Sequence, residues 1–320
     1  MGGTPTALRG RVIFPMERDF LRRLLPRLPG HKRLLLGPGD DAALLALARD
    51  NACVVTTDML MDGIDFELGK CDVKLVGRKS LAVNLSDLAA MAARPVGAVI
   101  SLALPRSGGE ALALELYEGL IPLAEEFETA IAGGDTNSWA GPLVISITAI
   151  GEVASGKEWR RSGARPGDEI LVTGSFGGSI LGKHFDFTPR VREALFLSER
   201  YEIHAAMDVS DGLSLDLSRL CEASGCGALL DLQQVPISPA AIELESRDGR
   251  PALEHALGDG EDFELILAVV PAIAEELLAK QPLGVPLTRI GRFVKEAGLW
   301  QNAPDGTLLP LAPRGYEHQL

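Results

Sequence analysis

Aspartates recur where small or apolar runs reach a turn or helix. GPGDDAALL, VVTTDML, NLSDLAAM, AGGDT, AAMDVSDGL and DGEDFEL carry Asp40 and Asp41, Asp58, Asp87, Asp135, Asp208 with Asp211, and Glu261 with Asp262. A carboxylate beside an apolar segment risks partial burial, which is costly unless the charge is paired or binds a cation. Against 44 Asp and Glu the chain has 31 Lys and Arg, too few nearby to pair them all. Hard oxygen ligands drawn from distant parts of a chain suit Mg²⁺ that also holds substrate phosphates, so the pattern points to nucleotide chemistry.

Singly, most of these residues have plainer readings. Asp41 before AALLALA and Asp211 after Ser210 fit helix N-caps, worth about 1 kcal/mol each. Asp135 in GGDT and Asp262 in DGEDF fit turn positions. Asp87 resists both readings, because it lies inside the apolar helical stretch LAVNLSDLAAM with Asn84 beside it. Asp58 ends the β-branched run VVTT. Neither a GxxxxGK[ST] loop nor a GxGxxG fingerprint occurs. GSFGG, Gly174 to Gly178, follows the strand-like EILVT and reads either as a phosphate cradle or, more simply, as a tight strand-to-helix turn. No Ser/His/Asp arrangement stands out, and His31, His184, His204, His255 and His318 form no ligand-spaced pair, so each reads as a surface or packing residue. Cys53, Cys71, Cys221 and Cys226 lack paired CxxC spacing and read as buried or partly buried thiols of a reducing compartment.

The elements that must position these carboxylates follow from periodicity. Met16 to Leu28 predicts an amphipathic helix, stopped by Pro29 and Gly30. Strands are expected at Ala52 to Thr57, Gly97 to Leu104 and Leu143 to Val153, with helices at Val73 to Ala93 and Glu110 to Glu128. ASGKEWRRSGARPGD, Ala154 to Asp168, is charged and broken by Gly and Pro, which places a domain boundary there and gives domains 1–153 and 154–320. The second half reads as strands at Glu169 to Thr173, Ala205 to Val209, Ala228 to Leu232, Glu264 to Val270 and Leu287 to Val294. Helices are expected near Ser179 to His184, Leu213 to Ser224 and Ala272 to Lys280. Without strict alternation this is an α+β fold of two domains, each with a mixed sheet packed by helices. A length of 320 residues, 46% of them hydrophobic, suffices for two real cores. A net charge of −13 argues against a general nucleic-acid or anionic-membrane binder. No apolar run approaches a membrane span, and the N-terminus lacks a signal-like pattern, so a cytoplasmic location is expected.

Together these segments carry a resemblance that none carries alone. GPGDDAALL, TTDMLMDGIDF, KSLAVNLSDLAAMAARP, GGDT, RSGARPGDEILVTG, DVSDGLSLDLSRL, GDGEDFEL and GYEH make the chain, from about Met16 onward, similar to the thiamine-monophosphate kinase family. Its superfamily also holds aminoimidazole ribonucleotide synthetase, selenophosphate synthetase and the hydrogenase maturation ATP-binding protein. The resemblance implies a homodimer joined through N-terminal domains, with MgATP between domains and thiamine monophosphate as acceptor. Carried over by position, Asp41, Thr56, Thr57, Asp58, Asp87, Asp135, Asp208 and Asp211 would hold Mg²⁺. Gly134, Asp135, Arg161 and Ser210 would bind ATP, and Glu261, Tyr316 and Asp65 would lie on the substrate side. No general base is implied.

Three departures touch the acceptor side of that pattern. Asp65 stands where the family usually has His, Asp186 and Phe187 replace an Arg-Pro pair, and the chain lacks the aromatic that often follows the last His. A relative acting on a different small acceptor, or a nucleotide-binding subunit without turnover, are the alternatives. The first would form a different phosphorylated product. The second has no use for so many repelling carboxylates.

Overall fold

The computed structural model describes residues 17–38, 42–303 and 306–317. In the N-terminal half, α1 (Glu17–Leu24) leads through a 3₁₀ turn to the short pair β1 (Leu34–Leu36) and β2 (Leu44–Leu45). There follow β3 (Asn51–Met61), α2 (Val73–Ala90), β4 (Arg94–Pro105), α3 (Gly109–Glu126), β5 (Ala130–Trp139) and β6 (Val144–Ala154). The sheet order is β3-β6-β4-β5, antiparallel except for the parallel pair β4 and β5. Side chains alternate across a strand. In β3, Ala52, Val54, Thr56, Asp58 and Leu60 face inward, while Cys53, Val55, Thr57 and Met59 are exposed on the other face.

Asp72 caps α2 by accepting from the Lys74 N–H at 2.8 Å. Its interior from Val76 to Ala90 is almost continuously buried, the mark of a helix enclosed on all sides. It packs on α3 so closely that a Cβ on Gly77 would meet the Leu116 carbonyl oxygen at 1.9 Å, and one on Gly119 the Lys74 carbonyl oxygen at 1.7 Å.

The chain then crosses to a second sheet. Its elements are β7 (Glu169–Thr173), α4 (Lys183–Asp186), α5 (Val191–Arg200), β8 (Ala205–Asp208), α6 (Leu213–Ser224), β9 (Gly227–Leu230), α7 (Pro239–Asp248) and α8 (Ala252–Gly258). The chain continues through β10 (Leu265–Val269), α9 (Pro271–Lys280), β11 (Leu287–Val294), β12 (Gly298–Asn302) and β13 (Leu308–Pro310). The seven strands run β13-β12-β9-β11-β7-β10-β8. Strands β7, β8, β9 and β10 of this sheet are buried on both faces. Ile170, Val172, Met207 and Ile266 join a core with Leu213 and Leu217 of α6, whereas Leu171, Ala206, Leu265 and Leu267 join a core continuous with α2 and the first sheet. The α+β architecture expected from the sequence is present, as two helix-packed mixed sheets, and α2 lies between them. Among the described residues no helix is long and apolar enough to cross a membrane.

Several expectations differ from the structure. Leu44 and Leu45 form a strand, so AALLALA is not a helix, and its proposed cap Asp41 lies outside the described residues, as do Asp40 and His318. AGGDT lies within β5, a strand that the glycines hid. α5, α7, α8, β12 and β13 were not anticipated, and Ser179 to His184 is a 3₁₀ turn followed by the separate short α4. Cys53 is exposed, because β3 turns it to the open face. The close helix contact gives a stability test: Gly77→Ala should cost about 1–3 kcal/mol through overpacking, read as a lower urea midpoint with unchanged m-value.

Candidate active site

Three carboxylates converge where α2 meets both sheets. Thr56 and Asp58 project from the inner face of β3 toward α2, and the Thr56 hydroxyl donates to Asp87. From the second sheet, β8 ends under the same helix at Asp208, whose carboxylate accepts from the Ser86 hydroxyl at 2.7 Å. Burial first, then the charges of Asp87 and Asp65, push the Asp58 carboxyl up to about 7. Asp208 is raised by burial and by Asp87, and Asp87 by burial, against the opposing pull of Thr56 and Arg161. Arg161, in the crossing segment, is the cation that acts on both Asp87 and Asp208. One turn before Asp87, the buried Asn84 donates to the Ser80 carbonyl but leaves its own Oδ1 without a partner among the described residues.

This donor set fits a hard cation completed by outside oxygens. Among the described residues no three His, Cys, Asp or Glu side chains converge enough to hold a metal alone. Mg²⁺ typically uses one or two carboxylates and fills its octahedron with water and substrate phosphates. Raised carboxyls at Asp58, Asp87 and Asp208 match that requirement.

Beyond the carboxylates opens a cleft of about 790 Å³. Asp58, Asp65, Ser210, Asp211, Glu261 and Tyr316 all line it. Asp211 is not a helix cap: its carboxylate pairs with Arg219, and Gly212 occupies the cap position of α6. Asp216, which sequence reading passed over, organises the turn by accepting from the N–H groups of Ser210, Asp211 and Gly212 at 3.1, 2.8 and 3.2 Å. Tyr316 is tied to the same turn through its N–H to the Asp211 carbonyl at 2.9 Å. Asp65 accepts from the Met61 N–H at 2.7 Å and so closes its own loop. Ile64, Ile180, Leu244 and Phe263 supply apolar wall.

Three expected site residues are not brought to this cluster. Thr57 faces the opposite side of β3 from Thr56 and Asp58 and bonds to Ile147 and Thr148 of β6. Gly134 and Asp135 lie on β5, at the other edge of the sheet, and line a separate cleft of about 620 Å³. Strand register puts Asp135 opposite Ser101, Ser101 opposite Ser146, and Ser146 opposite Met59, so Asp135 shares the open face with Thr57.

GSFGG does not offer its last two amides to a ligand. Gly177 donates to Asp262 at 2.9 Å and Gly178 to Asp259 at 3.0 Å, so the plain turn reading holds there. Asp262 is therefore a fully buried anchor rather than a turn residue, with its carboxyl pushed up to about 7 chiefly by burial. The departures at Asp186 and Phe187 do not line the cleft. Asp186 is exposed, and Phe187 stacks on Phe263 with ring centroids 4.0 Å apart.

Sequence reading also missed Lys79 and His184, which meet Glu261 at the cleft floor. A charged residue eight positions before Asp87, in the same apolar helix, was the available signal.

A two-sheet fold that collects buried carboxylates from both halves around one cleft defines the class to which the comparisons point. Residues 39–153 match the AIR synthase related protein N-terminal domain, and residues 173–299 match its C-terminal domain. Thiamine-monophosphate kinase of Rhodopirellula baltica is 42% identical over 310 residues, covering 95% of this chain and 97% of that protein. The crystal structure of thiamine-monophosphate kinase from Stenotrophomonas maltophilia K279a superposes with a TM-score of 0.75 at 36% identity, covering 90% of this chain and 95% of that one. AaThiL complexed with AMPPCP and TMP superposes with a TM-score of 0.74 at 26% identity, covering 94% and 96%. The chain belongs to the thiamine-monophosphate kinase family.

The raised Asp58 carboxyl has a signed consequence. A folded-state value near 7 against 3.8 unfolded means the folded protein holds this proton more tightly, so metal-free stability falls as pH rises between those values. Asp58→Asn removes that loss. In EDTA at about pH 8 the variant should melt above the wild type, and the gap should shrink as pH falls toward about 4. Differential scanning calorimetry across pH measures it, and a variant that melts lower at high pH would make Asp58 a structural acceptor instead.

Proposed function

We propose that this protein transfers the γ-phosphoryl group of ATP to thiamine monophosphate, forming thiamine diphosphate. The observation that carries this reading is the meeting of Asp58 and Asp208, one from each sheet, with Asp87 of the helix between them, beside a cleft with a partly apolar wall. The family supports it, as does the nucleotide analogue and TMP bound by AaThiL. Phosphates enter at the acidic end, and the heterocycles of the acceptor lie against Ile64, Ile180, Phe263 and Tyr316.

The reaction joins two anions. Unit charges about 4 Å apart repel by about 1 kcal/mol in water and about 4 kcal/mol at an effective dielectric of 20. Mg²⁺, when bound, supplies the neutralisation. Asp58, Asp87 and Asp208 are the residues that would hold it, with Thr56 orienting Asp87 and Ser86 orienting Asp208. Arg161 and Ser210 are assigned to ATP, and Asp65, Glu261 and Tyr316 to the acceptor. A phosphate monoester has its second pKa near about 6, so the attacking oxygen is already largely anionic and needs no general base. What remains is in-line positioning and charge compensation.

The same reading makes the protein a cytoplasmic homodimer. Residues 1–153 form its ATP-binding and dimerising domain, and residues 154–320 complete the nucleotide and acceptor site. Support for the dimer comes from the open face of the first sheet, where Val55 and Met59 are 61% and 60% exposed. Thr57 and Asp135 share that face, and a second copy packed there would cover them. Asp41 keeps its assignment as a metal ligand on family resemblance alone.

Incubation with MgATP and a panel of phosphate monoesters, followed by mass analysis, tests the reaction. Thiamine diphosphate should form with thiamine monophosphate, and Asp87→Asn should lower kcat by about a thousandfold or more while the fold is kept. Formation of a different phosphorylated product, with thiamine monophosphate untouched, would reassign the acceptor.

A further inference from the structure

Lys79 is a buried ammonium in the enclosed helix α2, with a relative exposure of 1%. Its Nζ lies 2.8 Å from the Asp65 carbonyl oxygen, 2.5 Å from Glu261 Oε1 and 3.2 Å from His184 Nδ1, and 5.4 Å from the Phe185 ring centroid. An ammonium has three protons, and these neighbours occupy its surroundings. Almost fully buried, the ammonium is directed at the Asp65 and Glu261 oxygens rather than offered to a phosphate, although it lines the cleft.

Glu261 is the member of this group most open to the cleft. Its side chain is 34% exposed, and its second oxygen is held 3.3 Å from His184 Nδ1. The backbone fixes its direction as well: Glu261 has φ +63° and its N–H donates to the Ser210 carbonyl at 2.6 Å. A non-glycine residue held in that region marks a position over-determined by its surroundings. Burial alone would push the Glu261 carboxyl up, but His184 and Lys79 outweigh it and keep it below the ordinary value.

We propose that Lys79 is a positioning residue that acts through Glu261, holding that carboxylate in place and aimed at the cationic ring of the acceptor. The inference rests on the function proposed above. It assigns discrimination between a charged thiazolium and an uncharged ring of the same shape to the Lys79, His184 and Glu261 group, with the Asp65 loop fixed by the same ammonium.

Steady-state kinetics on Glu261→Gln, Lys79→Met and the double variant test it, together with inhibition by the thiophene analogue of thiamine monophosphate, whose ring carries no charge. Each single variant should raise the KM for thiamine monophosphate about tenfold or more, with kcat and the KM for ATP within about threefold. The double variant should be no worse than the single ones, because the neutral amide introduced by Glu261→Gln no longer needs the ammonium. The wild type should favour the charged ring over the thiophene analogue about tenfold, and the variants should not. Multiplying effects in the double variant, or discrimination retained in the singles, would make Lys79 only a structural tie between the halves. If Lys79→Met does not fold, Glu261→Gln and the analogue decide. A wild type that does not turn over thiamine monophosphate would instead overturn the function on which the inference rests.

Discussion

The repulsion among Asp58, Asp87 and Asp208 is the constraint around which this structure is arranged. Each carboxyl is raised mainly by burial, and the charge of Asp87 adds to the shifts of Asp58 and Asp208. Folding alone would not favour such a group. The surrounding packing must hold it, and α2 does so by being enclosed between two sheets whose cores it shares. The close backbone approach at Gly77 and Gly119 locks that helix against α3, which fixes Asp87 relative to β3. Site geometry and core packing are here the same problem.

A second tier of charged residues keeps the cleft in shape. Asp216 gathers three amides of the turn that presents Ser210 and Asp211. Glu264, buried and two positions after Asp262, is held by Arg190, Lys183 and Thr173. Arg78 of α2 reaches the carbonyls of Phe185 and Phe187 at 3.3 and 2.7 Å and so fastens the α4 segment to the first half. In this tier Asp216 and Glu264 each have a partner of opposite sign, and Arg78 has two carbonyl acceptors, as burial requires. The cluster at Asp58, Asp87 and Asp208 differs because, among the described residues, it is the exposed Arg161 that acts on Asp87 and Asp208 from a distance rather than through a paired contact. That contrast separates structural carboxylates from those left for a cation and phosphate.

Much of this was legible in the chain. The apolar period of α2 and the misfit of Asp87 within it were visible, because a charge inside a buried helix has neither cap nor turn to explain it. Asp58 at the end of a β-branched run was equally visible, since its neighbours demand a strand. Where glycine dominates, local pattern was less decisive: AGGDT reads as a turn but lies in β5, and GSFGG left a phosphate cradle open beside the tight turn that the structure shows. Glycine permits many backbone states, and only the tertiary partner selects one.

By itself the sequence determined which residue types had to be gathered, that helices and strands would form two α+β halves, and to which family the motifs belong. Tertiary structure decided which carboxylates meet. Thr56 and Thr57 are adjacent in sequence, yet a strand's two-residue period sends them to opposite faces, one to Asp87 and one to the open side of the sheet. Asp135 sits at the far edge for a similar reason, since strand order is set by long-range pairing that no local spacing encodes. Lys79 and Glu261 are far apart in the chain and neighbours in space, because α2 is packed between sheets whose contacts exist only once both have formed.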